Sequence, residues 1–246
     1  MKSFLLLISF VTIFGFNTQA THIVGGELEV QHVQDSTYKL RAILYFDVFY
    51  GSTDARDTLI VLHIFDKGVD TVMATYFAKL QTVETVNYSN PDCAVASLAT
   101  ERMIYEREVI LNPEEYNQPS GYYLVWERCC RNAVINNIEK PDSTGMTFYL
   151  EFPPVEKDGQ PFINSSPSLF PPLSDFACVD LPYFVDFRGD DVDGDSLVYS
   201  LSHPLKGNAD NIVTAPFAAV PAPYPLVDFK TNYSVNNMIP GSPALS

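Results

Sequence analysis

Alternation of apolar and polar side chains is what most restricts the folds open to this chain. Tyr38, Leu40, Ala42, Leu44, Phe46 and Val48 are apolar at every second position, with Lys39, Arg41 and Asp47 between them. Met103, Tyr105, Val109 and Leu111 repeat the pattern against Arg102, Glu106 and Glu108. So do Tyr122, Leu124 and Trp126, and then Met146, Phe148, Leu150 and Phe152 against Thr147, Tyr149 and Glu151. Leu59 to Phe65 is a further apolar run. A period of two is that of a strand with one buried face. Turn residues punctuate the runs: Gly51-Ser52, Lys67-Gly68, Asn90-Pro91-Asp92, Pro119-Ser120-Gly121 and Ser143-Thr144-Gly145. The one helix-start signal, Asn112-Pro113-Glu114-Glu115, predicts a single turn between two strands.

About seven strands in roughly 130 residues predict an antiparallel sandwich. The pattern breaks at Pro153-Pro154, and residues 156–176 read as a linker or long loop rich in Pro, Ser, Asn and Asp. Alternation resumes at Tyr183, Val185 and Phe187, and again at Leu197, Tyr199 and Leu201, before prolines take over from Pro204. The expectation is an all-β chain of tandem Ig-like β-sandwich domains. The first occupies residues 21–155. Residues 156–246 hold a linker and a second, incomplete Ig-like or cadherin-like domain.

The amino-terminal twenty residues predict a destination. Lys2 is followed by an apolar run from Phe4 to Phe16 and by Thr18-Gln19-Ala20, a small-x-small site. Residues 1–20 therefore read as a cleaved signal peptide. No later apolar stretch is long enough to cross a bilayer as a helix. The expected location is secreted or cell-surface, where thiols meet an oxidising environment.

The formal charge is −15, or −16 once Lys2 is removed with the signal (−15 − 1). A charge of that sign opposes nucleic-acid binding and suits a soluble surface or divalent cations. Apolar residues make up 46% of the chain, enough for packed cores and against intrinsic disorder. Cys93, Cys129, Cys130 and Cys178 predict two disulfides with three possible pairings. Their spacing lacks the paired C-x-x-C or nearby histidines of a zinc site. Adjacent cysteines on a strand face opposite ways, so Cys129 and Cys130 are expected to reach different partners. Trp126 and Cys130 would share one face, as in a sandwich core where a Trp packs on a disulfide.

Three motifs invite a chemical reading. Ile23-Val24-Gly25-Gly26 spells the mature start of a trypsin-like protease, but no Gly-Asp-Ser-Gly-Gly follows and His63 lies in an apolar strand. Gly194-Asp195-Ser196-Leu197 spells the signature of GDSL-type hydrolases, but it sits late, in strand-like sequence, with only His203 after it. The sharpest is Gly189-Asp190-Asp191-Val192-Asp193-Gly194-Asp195. Asp191, Asp193 and Asp195 offer hard oxygen ligands that repel one another without a cation, which makes calcium the expected ion. The competing expectation is a solvated acidic turn eased by Arg188.

Four segments together resemble a family of large exported Bacteroidota proteins, the gliding-motility-associated or PKD-domain-containing surface proteins. They are Thr21-His22-Ile23-Val24-Gly25-Gly26-Glu27, then Glu127-Arg128-Cys129-Cys130-Arg131-Asn132, then Asn164-Ser165-Ser166-Pro167, and last Asp191-Val192-Asp193-Gly194-Asp195-Ser196-Leu197-Val198-Tyr199. Their order and spacing match over most of the chain after residue 20. The resemblance implies β-sandwich modules, a surface or secreted location, and export that often ends in type IX sorting. Two features depart from the family. Val48 stands where a second-strand cysteine is usual, and no carboxy-terminal sorting domain is present, so the chain is expected to be the first part of a larger protein or a truncated reading frame.

The expected function is that of a non-enzymatic surface protein, an adhesin or structural display element, stiffened by calcium at Asp191, Asp193 and Asp195. Cys93 is expected to pair with Cys129 or Cys130 and Cys178 with the other, clamping the two modules. The alternative is a carbohydrate-binding module of a polysaccharide-utilisation system, with Tyr122 and Tyr123 stacking on sugar rings if exposed. A surface polysaccharide, a protein ligand or further modules of a larger chain are the partners this reading anticipates.

Overall fold

The computed structural model describes residues 23–51, 56–88, 91–170, 176–178, 180–207 and 219–239. The expected signal peptide, residues 1–20, lies outside them, as do Thr21, His22, and Ser52 and Asn90 of two expected turns. Seven long strands form: β1 (Ile23–Gln34), β2 (Thr37–Asp47), β3 (Leu59–Asp66), β4 (Val72–Thr85), β5 (Thr100–Ile110), β6 (Tyr122–Arg128) and β7 (Met146–Phe152). They make one antiparallel sheet in the order β1-β2-β5-β4-β3-β6-β7, so the chain is all-β, as its periodicity requires. Among the described residues there is no α-helix; the Asn112 signal closes one turn, with Asn112 O accepting from the Glu115 and Tyr116 N–H groups at 2.9 Å.

Six antiparallel pairings separate β1 from β7, so the two edges of the sheet point the same way. The sheet curls until those edges meet. A Cβ on Gly26 of β1 would lie 3.1 Å from the Phe148 ring of β7 and 2.6 Å from Ile43 O, so only glycine permits this approach. Among the described residues no ladder joins the edges. Instead Leu205 O accepts the Thr147 N–H of β7 at 3.4 Å, and Ser166 lies along β1, its N–H donating to Val30 O at 2.9 Å. Both unpaired edges are thereby covered by later chain, which protects them from edge-to-edge association.

The inward face carries the main core. Tyr38, Leu40, Ala42, Leu44 and Phe46 of β2 meet Met103, Tyr105 and Val109 of β5, and Tyr122, Leu124 and Trp126 of β6 close over them. These are the alternate positions read from the sequence. The other face is also covered, locally. Phe65, Tyr123 and Val125 pack under Ala219, with Tyr149, Ala222 and Tyr224 around them. That second layer explains why all of β6 is buried. Ile43, Tyr45 and Ile104 make a third cluster with Val86.

Residues beyond 155 bind back to the sheet. Val155 O accepts the Phe162 N–H at 2.8 Å, and the Leu205 and Leu226 strand positions bridge each other beside β7. Short strands β8 (Glu156–Lys157) and β9 (Gln160–Pro161) form a hairpin, and β10 (Ser168–Leu169) pairs with β11 (Gly189–Asp190). The two strands expected around residues 183–187 and 197–201 do not form: both runs are irregular. A strand is held by its ladder, and among the described residues neither run has one.

Candidate functional site

The Asp-rich segment folds as a tight turn. Asp191 Oδ1 accepts the N–H groups of Asp193 at 3.0 Å and Asp195 at 3.1 Å. Gly194 has φ +84°, a left-handed conformation that favours glycine, and its N–H donates to Asp191 O at 3.2 Å. The turn is docked. The Asp193 carboxylate accepts the Ser165 N–H. Ser165 is buried and its Oγ accepts the His32 N–H at 3.1 Å, while Ser166 Oγ accepts the Val30 N–H at 2.9 Å. Gln31 Nε2 donates to Ser166 O at 2.7 Å. The Asn164-Ser165-Ser166-Pro167 motif is therefore a clasp between the acidic turn and the free edge of β1. Burial raises the Tyr38 phenol above its ordinary range, and the nearby Asp193 charge adds to the effect.

Arg188, expected to ease the acidic cluster, is held by Asp186, with Nη2 to Oδ2 at 2.7 Å and Nε to the same carboxylate at 2.9 Å. Among the described residues no three His, Cys, Asp or Glu side chains gather into a group able to hold a metal ion. The carboxylates of Asp191, Asp193 and Asp195 suit calcium by chemistry, yet in this arrangement Asp191 serves its own turn and Asp193 serves Ser165.

The Glu127-Arg128-Cys129-Cys130-Arg131-Asn132 motif is an anchor. Arg128 forms an ion pair with Asp57, whose carboxyl burial pushes up and Arg128 pulls back down. Arg131 Nη2 donates to Leu205 O at 2.8 Å and Nε to Gly145 O at 3.1 Å, so one side chain ties the strap over β7 to the start of that strand. Asn132 Nδ2 donates to Asp47 Oδ2 at 3.0 Å. Trp126 lies beside Phe148, ring centroids 5.3 Å apart, within the main core.

The disulfides correct the expected pairing. Cys93 is bonded to Cys178, and Cys129 to Cys130 through a cis peptide. The alternation that assigned Cys129 and Cys130 to different partners holds within a strand, and β6 ends at Arg128, before either of them. The Cys93–Cys178 bond, with Cα atoms 5.0 Å apart, ties the β4–β5 connection to the segment that follows β10. Tyr88 and Phe176 pack beside it, ring centroids 4.5 Å apart. A clamp between early and late chain exists, with a different partner.

The other residues singled out by motif or composition are placed as follows. Tyr122 and Tyr123 are fully enclosed, so neither ring offers a face to a sugar. The Tyr122 hydroxyl donates to Glu115 O and that of Tyr123 to Asp70 Oδ1, both at 3.0 Å. Ser196 is exposed, whereas the His203 Nε2 N–H donates to Val227 O at 2.7 Å. His63 is buried, and burial lowers its pKa. Ile23 and Gly25-Gly26 line, with Arg131, Met146 and Phe148, a cavity of about 200 Å³ at the seam between β1 and β7.

Periodicity did not single out Glu27 and Glu29 on the outer face of β1. Glu29 is buried and paired with Arg41 at 2.7 Å, and Arg41 also reaches Glu106 at 2.9 Å. Glu27 is raised to about 7, first by burial and then by the Glu29 charge, and its Oε2 has no hydrogen-bond partner among the described residues. Two acids at alternate positions of a strand are the trace that the sequence carries of this network.

Compared with protein-family models, curated proteins and solved structures, the chain shows no match.

Proposed function

We propose that this chain is a non-enzymatic, exported surface protein, an adhesin or structural display element of the kind found among the gliding-motility-associated surface proteins of Bacteroidota. In this reading the curled sheet is an Ig-like module and residues 156–246 belong to an incomplete second one. The observation that carries the proposal is the use to which the motif residues are put. Ser165, Ser166 and Asp193 clasp β1, Arg131 and Asn132 tie strap and turn to the sheet, and Cys93 is bonded to Cys178. Side chains that would carry chemistry elsewhere hold this fold together. A disulfide clamp also suits an oxidising, extracellular setting.

Calcium at Asp191, Asp193 and Asp195 belongs to the same proposal as an ion that would stiffen the turn. Its support is the spacing of the three aspartates, at every second position of one turn, and the commitment of Arg188 to Asp186. The experiment is production of the full chain, with residues 1–20, in a Bacteroidota host. The expected result is a mature amino terminus at Thr21 and antibody labelling of intact cells. Labelling only after lysis, with residues 1–20 retained, would sink the proposal.

A further inference from the structure

We propose that residues 181–202 are a docking face for a cationic β-strand of another polypeptide. Phe184 is 86% exposed, Val198 92% and Val192 77%, with Phe187, Tyr199 and Leu201 also in solvent. Surface apolar residues scattered singly need no explanation, but a concentration of this kind marks an interaction site. Both arms flanking the acidic turn have the period two of strands, at Val185 and Phe187 and at Leu197, Tyr199 and Leu201. Along residues 184–187 and 196–202 no backbone group pairs with another backbone group among the described residues. An apolar patch alone accepts any greasy partner; backbone without a ladder partner among the described residues selects an extended chain, which can satisfy both sets of groups at once.

The turn that joins the arms is already built and fixed, by Asp191 within it and by Asp193 on Ser165. Docking therefore needs only the arms to be drawn into a ladder, which lowers its entropic cost. Charge sets the kind of partner. From 180 to 202 there are six acids, Asp180, Asp186, Asp190, Asp191, Asp193 and Asp195, against Arg188 alone, a net of −5 (1 − 6). Arg188 is spent on Asp186. A second copy would bring the same charge against this one, whereas a strand with lysine or arginine between its apolar residues complements it.

The test uses the full mature chain and a synthetic peptide in which lysine alternates with valine and tyrosine, with binding followed by fluorescence anisotropy. Two control peptides replace the lysines by glutamate or place a proline at the centre, which removes a ladder N–H. A Phe184→Ser, Val198→Ser double variant removes apolar surface that the fold does not bury. The expected result is saturable binding, weakened about tenfold or more by each control and by the double variant, a difference of at least about 1.4 kcal/mol. Equal binding of the controls, an unaltered affinity in the double variant, or no binding would overturn the proposal. So would concentration-dependent dimerisation lost in that variant, which would assign the face to a second copy.

Discussion

Asn132 donates its side-chain amide to the Asp47 carboxylate at 3.0 Å, across a separation of 85 residues, with both side chains buried. The other oxygen of Asp47 accepts the N–H groups of Phe49 at 3.0 Å and Tyr50 at 3.1 Å. One carboxylate thus caps the turn after β2 and receives the second residue after the paired cysteines. Asn132→Ala strips one partner from a buried carboxylate and is expected to cost about 1–3 kcal/mol. Asp47→Ala should cost more, because the turn cap goes too. In a double-mutant cycle followed by urea unfolding the two losses should fall short of additivity; full additivity would mean the contact contributes nothing.

Digestion of unreduced protein should yield one cross-linked peptide pair holding Cys93 and Cys178, and one linear peptide holding Cys129 and Cys130, two mass units lighter than its reduced form. Replacing Cys93 and Cys178 by serine reopens a loop of 85 residues' separation. By loop entropy that is worth about 4–5 kcal/mol, against roughly 1 kcal/mol for the adjacent pair. The measurement is the urea midpoint of each double serine variant, and equal losses would contradict the assigned pairing.

Glu27 gives a pH dependence of definite sign. Its folded-state value of about 7 lies above the 4.5 expected without the fold. The folded chain therefore holds this proton more tightly, so the contribution is fully present below about pH 4.5 and is lost as pH rises towards 7. Glu27→Gln should remove that slope. At pH 8 the variant should be the more stable by on the order of 1–2 kcal/mol, allowing for partial solvent screening of the site. At pH 4 the two proteins should differ little. Unfolding followed at both pH values checks this.

For the acidic turn, two variants separate architecture from ion binding. Asp193→Ala removes the acceptor of the Ser165 N–H and should lower the Tm with or without calcium. Asp195→Asn leaves that bond in place. If the turn binds calcium, millimolar calcium should raise the Tm of the parent chain over its value in EGTA, and Asp195→Asn should lose the increment. A ligand at 100 times its Kd adds about 2.7 kcal/mol. An identical Tm in both solutions would remove calcium from the proposed function.

The inward faces of β2, β5, β6 and β7 were legible because each has one buried face, which writes its period into the sequence. β4 was not. Its burial is shallow, with Ala78 its only enclosed side chain, and the register shifts between Leu80 and Thr82, so the apolar phase changes within the strand. In β1 the pair Gly25-Gly26 reads as a place where a first strand can bend or bulge, and the register does shift between Ile23 and Gly25; the buried acid Glu29 is what breaks the strand's alternation. The arms at 183–187 and 197–201 show the reverse, strand-like alternation without a ladder. The disulfides escaped because pairing depends on where β6 stops, and nothing local marks Arg128 as its last residue. At the acidic turn the sequence marked Asp191, Asp193 and Asp195 for their chemistry, while the use of Asp193 on Ser165 depends on two segments that only the fold brings together.

The bond between Cys93 and Cys178 also has a mechanical meaning. It makes residues 93–178 a covalent ring that contains β5, β6 and β7. Tension applied at the two ends of the chain crosses that ring through the sulfur bridge and does not load those strands in series. Up to about 300 Å of contour length, at roughly 3.5 Å per residue, is withheld from extension until the bridge is reduced. For a protein proposed to work on a cell surface, the clamp would act as a force shunt: the first and last parts of the chain yield, and the central strands stay folded.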